Sequence, residues 1–185
     1  MPAVPSALER SKQVVIDFDE LVDQRVDRLR GHPGLDRLMY GASEVGDWSL
    51  LWHVLGTGQA LLPGRDPVSA VRLSAILGVE SLIVNGAIKS LFQRHRPVWE
   101  EDRPRPHQVR TPRSSSFPSG HASSAFAAAV ILGQGDPLWP VYGAMAATVA
   151  SSRVYVKMHH ASDVIAGAAL GVGLGLLARR IWPKR

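Results

Sequence analysis

His159 and Asp163 stand four positions apart in the segment Ser152-Arg153-Val-Tyr-Val-Lys-Met-His159-His160-Ala-Ser-Asp163. On a helix or its first turn, side chains at that spacing share a face. A carboxylate beside an imidazole can fix one tautomer and leave the opposite ring nitrogen's lone pair free to attack phosphorus. Arg153 adds a planar donor fork that matches phosphoryl oxygens. Taken alone, the pair also fits an ordinary buried helix start. His160 competes with its neighbour for the nucleophile's role, and the spacing to Arg153 and Asp163 favours His159.

Two more polar clusters have the right chemistry to serve such a nucleophile. Phe117-Pro118-Ser119-Gly120-His121 runs directly into an Ala- and Ser-rich helical pattern. A helix that starts this way leaves backbone N–H groups free for an anion, and its dipole favours negative charge there. Ser119 can add a hydroxyl donor, and His121 can protonate a departing alkoxide. The plainer alternative makes Ser119 an N-cap and His121 an interfacial histidine. In Lys89-Ser-Leu-Phe-Gln-Arg-His-Arg96-Pro97 the two cations lie seven positions apart. That is about two helical turns, so both can grip one anion, although interfacial anchors snorkelling to head groups have the same pattern.

The elements that must position these groups are predicted to be helices throughout. Residues 6–30 alternate apolar and charged positions at three- and four-residue steps, the pattern of an amphipathic helix too charged to span a bilayer and placed here on the interface. Candidate membrane spans follow at 47–62, 68–92, 119–133, 138–156 and 162–181. Arg72, Glu80 and Lys89 interrupt the second of them, and charges at that depth normally face protein or water. Between the second and third spans lies 93–113, a polar loop dense in Arg, Pro and His, which is expected to select the head group. Gly167, Gly171 and Gly175 share one face of the last span and permit close helix approach. The expectation is one all-α domain over 1–185, an integral membrane bundle of about five helices plus the interfacial one. All three clusters then fall at one membrane face.

Composition narrows the chemistry further. The chain has 185 residues, a mean hydropathy of +0.01 and a net charge of +5. The charge suits an anionic substrate or a membrane surface. It would also suit nucleic acid, but a nucleic-acid binder leaves the apolar spans unexplained, so no nucleic-acid partner is expected. There is no cysteine, which excludes a thiol nucleophile, thiolate metal ligands and disulfides. The N-terminus shows no apolar run with a small-residue cleavage site, so no cleaved signal peptide is expected. The Arg-rich N-terminal segment and loop fall on the side of the site and favour a cytoplasmic active site in a bacterial plasma membrane, while Arg179, Arg180, Lys184 and Arg185 pull the other way.

Taken together, Lys89 to Pro97, Pro118 to His121 and Ser152 to Asp163 resemble, in order and spacing, the three-part signature of the type 2 phosphatidic acid phosphatase family. These are the lipid phosphate phosphatases, which share their site with vanadium haloperoxidases. The resemblance covers about Lys89 to Asp163. It implies His159 as nucleophile, Asp163 as its partner, and His121 as general acid. It also implies Lys89, Arg96, Ser119, Gly120 and Arg153 as the phosphate-binding set, with neither metal nor cofactor. Position 160 is a His where the family often has an aromatic or other residue. The implied partners are the bilayer and a membrane lipid phosphate: phosphatidate, phosphatidylglycerophosphate, polyprenyl pyrophosphate or a polyprenyl-linked sugar phosphate. A homo-oligomer is left open. The alternatives are a non-enzymatic lipid-phosphate or anion binder on the same scaffold, expected to have lost a catalytic residue, and a haloperoxidase, which resembles larger soluble bundles.

Overall fold

The structure, a computed structural model, describes residues 6–99 and 114–183. Seven α-helices carry it: α1 (Ala7–Asp27), α2 (Pro33–Val45), α3 (Leu50–Ala60), α4 (Val68–Ser81), α5 (Gly120–Leu132), α6 (Trp139–Tyr155) and α7 (Ala161–Ile181). No strand occurs among the described residues. A π-helical turn (Leu82–Ile88) and a 3-10 turn (Lys89–Leu91) extend α4 toward the loop.

The central element is α5, which packs against α4, α6 and α7. Its Ala122, Ser123, Ser124, Ala125, Ala127, Ala128 and Ala129 are all buried, and such small side chains let neighbouring backbones come close. The opposing face of α7 is equally spare. A Cβ added at Gly167 would stand 2.3 Å from the Ser119 carbonyl oxygen, and one at Gly171 would stand 2.1 Å from that of Ser123. No side chain fits there, so the glycine face expected to permit close approach lies directly against the start of α5. On the other side of α5, Trp52, Leu73, Ile76, Leu77, Ile131, Leu132, Tyr142 and Val149 form the main apolar core.

The outer surface is apolar as well. Val71, Val79 and Leu82 on α4 and Ile165, Leu176, Leu177 and Ile181 on α7 are exposed, an arrangement water disfavours and lipid accepts. The stretch Val68–Leu91 and helix Ala161–Ile181 are long and apolar enough to cross a membrane, while α5 is a shorter apolar helix of 13 residues, about 20 Å. At the end away from the three clusters, Asp136 ties the bundle by accepting from Arg65 at 2.8 Å and Gln59 at 2.7 Å.

Two elements differ from expectation. Helix α2 occupies a region outside every predicted element, and Pro33 at its first helical position suits a helix start. Helix α1 begins with a capping box, in which Glu9 and Ser6 satisfy each other's backbone N–H groups. It ends at Asp27, and Arg28 to Gly31 form a turn in which Gly31 has φ +89°. Its Leu8, Val14, Val15, Ile16 and Phe18 are exposed, and its single buried residue is Asp19. Asp19 therefore docks the middle of α1 and Val26 packs its end against the cluster that holds Tyr40 and Tyr155, while the other apolar positions named face outward.

Candidate active site

One cavity of about 540 Å³ is lined by Lys89, Arg96, Gly120, His121, Arg153 and His159, together with Glu80, Ser81, Asn85 and Ser124. Three separate stretches of chain thus meet at a single pocket. Lys89 arrives on the 3-10 turn after α4, His121 on the first turn of α5, and Arg153 on the last turn of α6.

His159 is 3% exposed. Its Nδ1 lies 2.6 Å from the Ser116 carbonyl oxygen. A carbonyl can only accept, so Nδ1 carries the proton and Nε2 keeps its lone pair. That Nε2 lies 3.4 Å from Arg96 Nη1. Asp163 Oδ2 is 3.7 Å from Nδ1, ion-pair range but beyond a hydrogen bond. The Ser116 carbonyl therefore holds the tautomer that the four-residue spacing suggested Asp163 would hold. Asp163 itself is fully buried and accepts from the His160 backbone N–H at 2.9 Å and from Arg94 Nη1 at 2.7 Å. The two histidines part company here. His160 lies outside the cavity wall, with Nε2 donating to the His95 carbonyl at 3.2 Å.

Burial lowers the His159 pKa to about 3; nearby Asp163 opposes the shift, while Arg96, Arg153 and Lys89 add to it. The imidazole is therefore neutral, as a nucleophile must be. The shift also sets the sign of a pH effect. Between the ordinary histidine value and about pH 3, the unfolded chain binds a proton that folded His159 does not, so this group makes stability fall as pH falls. In micelles of histidine-labelled protein, ¹⁵N spectra are expected to show His159 still neutral at pH 5. Titration near pH 6.5, the ordinary histidine value, would contradict the buried environment described here.

Cations converge opposite His159. Arg96 donates to the Met158 carbonyl at 2.7 Å and to the Ser114 and Ser115 carbonyls at 3.3 Å each, which pins the guanidinium beside the nucleophile. Arg153 is 4% exposed and donates through Nη1 to the Ser43 hydroxyl of α2, while its Nε has no partner. Lys89 is 8% exposed. Gly120 completes the wall. A Cβ there would stand 2.3 Å from Asn85 Oδ1, so any larger residue would displace the Asn85 side chain from its place on the wall. Ser119 is placed differently. It is fully buried outside the cavity wall, and its Oγ accepts from the Ala122 N–H at 3.4 Å as the N-cap of α5.

Three contributors escaped the reading of the sequence. Asp47 Oδ1 accepts from His121 Nε2 at 2.7 Å, giving that histidine a carboxylate partner. The turn that presents it holds Trp48 at φ 55° and Ser49 at φ 57°, left-handed conformations rare outside glycine. The second is Ser43. The third is a network in which Arg94 pairs with Asp163 at 2.7 Å and with Asp19 of α1 at 2.5 Å. Asp19 also accepts from the Ser162 N–H at 2.8 Å and its hydroxyl at 2.7 Å. The amphipathic helix is thereby joined to the carboxylate behind His159. Of the 93–113 loop, 100–113 lies outside the described residues, and with it the head-group role expected there.

This arrangement can bind a phosphoryl group among fixed cations and the N–H groups at the start of α5, with a neutral imidazole on one side and a carboxylate-paired histidine nearby. The PAP2 superfamily model matches residues 69–185. The decaprenylphosphoryl-5-phosphoribose phosphatase of Mycobacterium tuberculosis is 33% identical over 151 residues, covering 80% of this chain and 81% of that protein. Among solved structures, the transmembrane PAP2 type phosphatidylglycerolphosphate phosphatase of Bacillus subtilis is similar, with a TM-score of 0.70 and 26% identity over 93% of this chain and 89% of that one. LpxE of Aquifex aeolicus shares the fold, with a TM-score of 0.68 and 24% identity over 86% and 93% of the two chains. A family model that takes in more than half of the sequence and the whole of the α5 to α7 site places this protein in the PAP2 superfamily.

Proposed function

We propose that this protein is a membrane lipid phosphatase that hydrolyses its substrate through a phosphohistidine on His159. The observation that carries the reading is the unprotonated Nε2 of a neutral, buried imidazole, facing Arg96 in a cavity with Lys89, Arg153 and His121. In the first step Nε2 attacks phosphorus, an N–P bond forms and the P–O bond to the lipid alcohol breaks. The leaving oxygen takes its proton from His121. Water then attacks phosphorus, the N–P bond breaks, His121 takes up the water's proton, and inorganic phosphate leaves. Lys89, Arg96, Arg153 and the N–H groups of Gly120 and His121 offset the charge that builds on the equatorial oxygens. Asp163 acts through its charge and through Arg94. Asp47 stabilises the imidazolium form of His121. Ser119 is assigned to building the phosphate site as the cap that orients those N–H groups.

The relatives' substrates, a phosphoribosyl decaprenyl lipid and phosphatidylglycerophosphate, support an amphiphile whose phosphate sits at head-group level. We place the site on the cytoplasmic face of a bacterial plasma membrane, with α3 to α7 as the crossing helices and α1 on the interface. Arg10, Lys12, Arg25 and Arg28 of the N-terminal segment lie on the side of the site, and positive charge outside the phosphate cluster favours the cytoplasm. The test is phosphate release by detergent-purified protein from a panel of lipid phosphates with EDTA present. Release that persists in EDTA supports the assignment. Lipid phosphate bound without release would support the non-enzymatic binder instead.

A further inference from the structure

Glu80 is unused by the mechanism. It lies on α4, is 2% exposed, and lines the same cavity as Lys89 and His159. Neither carboxyl oxygen makes a hydrogen bond of good geometry, and the Ser123 hydroxyl is the one polar side chain close enough to act on it. Among the described residues no ion pair reaches it. At membrane depth an unsatisfied carboxyl is costly and is retained where something binds it.

Its presence on this wall is itself a consequence of the backbone. Positions 80 and 89 are nine residues apart, and on an unbroken α-helix they would point about 180° apart. The π turn over Leu82–Ile88 winds more slowly, and both side chains line one cavity. Ser81 and Asn85 lie between them on the cavity side. A basic phosphate site thus passes along α4 into hydroxyl and amide groups and ends at a carboxyl, a sequence of groups that fits a hydroxyl-bearing unit next to a phosphate.

We propose that Glu80 is a specificity-determining residue that receives a hydroxyl of the substrate's head group. The preferred substrate then carries its phosphate on a polyol spacer, a glycerol or a sugar, between phosphorus and the lipid. The inference rests on the phosphatase reading above. A phosphate borne directly on the lipid's own glycerol, as in phosphatidate, brings no free hydroxyl and leaves the carboxyl unpaired.

The experiment compares kcat/KM in mixed micelles for three substrates: phosphatidate, phosphatidylglycerophosphate and a polyprenylphosphoryl phosphopentose. The last two tell glycerol from sugar as the source of the hydroxyl. The wild type is expected to prefer at least one polyol substrate over phosphatidate by about tenfold to hundredfold, the range for leaving a buried polar group unpaired. Glu80→Gln, which keeps an acceptor oxygen, is expected to retain the preference. Glu80→Leu is expected to erase it by slowing the polyol substrate alone. Equal rates on all three substrates in the wild type, or an equal loss on all three in Glu80→Leu, would overturn the role of Glu80 and leave the phosphatase reading intact. No release from any substrate by the wild type would overturn both.

Discussion

His159→Ala is expected to lower kcat by about 10⁴-fold to 10⁶-fold, the range seen when a covalent nucleophile is removed from an enzyme that still binds its substrate. The protein should remain folded. Among the described residues the imidazole that the substitution removes has the Ser116 carbonyl and Arg96 as its hydrogen-bonding partners, and the main apolar core lies elsewhere, around α5. His160→Ala should keep most of its activity, because the His160 backbone N–H still donates to Asp163 and only the ring's contacts with the first turn of α7 and the His95 carbonyl are lost. Phosphate release measured on both variants separates the adjacent histidines. A His159→Ala enzyme with near-normal turnover would remove the proposed mechanism, and a dead His160→Ala would move the nucleophile by one residue.

The second large effect concerns His121. Replacing it with alanine should lower kcat on a lipid phosphate by about 10²-fold to 10⁴-fold, the usual scale of general acid catalysis. The size of the loss should depend on the leaving group. An aryl phosphate such as 4-methylumbelliferyl phosphate expels an oxygen that needs no proton, so the first step is restored in the variant. The second step is not, since the group that protonates the leaving oxygen also deprotonates the incoming water. The expected record is a burst of about one equivalent of fluorophore per enzyme followed by slow turnover. Asp47→Asn should show the same pattern more weakly, because it removes the carboxylate paired with His121 and leaves the histidine in place. An equal loss on alkyl and aryl substrates without a burst would assign His121 to binding alone.

How far the site could be read in the sequence follows from how each contact is made. Clusters whose members lie within a dozen residues are visible as clusters, and His159 and Asp163 meet across the start of α7. Lys89 and Arg96 share the cavity not as two turns of one helix but across its end, since the helix stops at Leu91 and the chain continues extended. Partners made by packing leave no such trace. Asp47 lies 74 residues from His121, and Ser43 lies 110 from Arg153. Ser116 contributes a backbone carbonyl, which no residue type betrays. Asp19 sits among the other charges of an amphipathic helix and reads as part of a solvated face, yet it is the one buried residue of α1 and holds Arg94. Spacing also proved right about proximity and incomplete about role. Asp163 does lie near His159, but its oxygens are engaged by Arg94 and the His160 N–H, leaving the Ser116 carbonyl as the hydrogen-bond acceptor.

The fold divides in the same way. Apolar runs mark Val68–Leu91 and Ala161–Ile181, and the glycine face of α7 foretells its close contact with α5. The π turn in α4 has no signature in residue type. It is nonetheless what lets Glu80 and Lys89 share a wall, because hydrogen-bond register and not side-chain character decides the winding there.

The central claim, a covalent phosphate on His159, is tested most directly by trapping it. Wild-type protein is mixed with lipid phosphate, quenched in base within milliseconds, digested, and mapped by mass spectrometry under conditions that spare phosphoramidates. The account predicts an acid-labile phosphate on the peptide containing His159, at that residue and absent from His159→Ala. Phosphate on His160, or turnover with no phosphorylated histidine in either the wild type on lipid phosphate or the His121→Ala enzyme charged with an aryl phosphate, would contradict it.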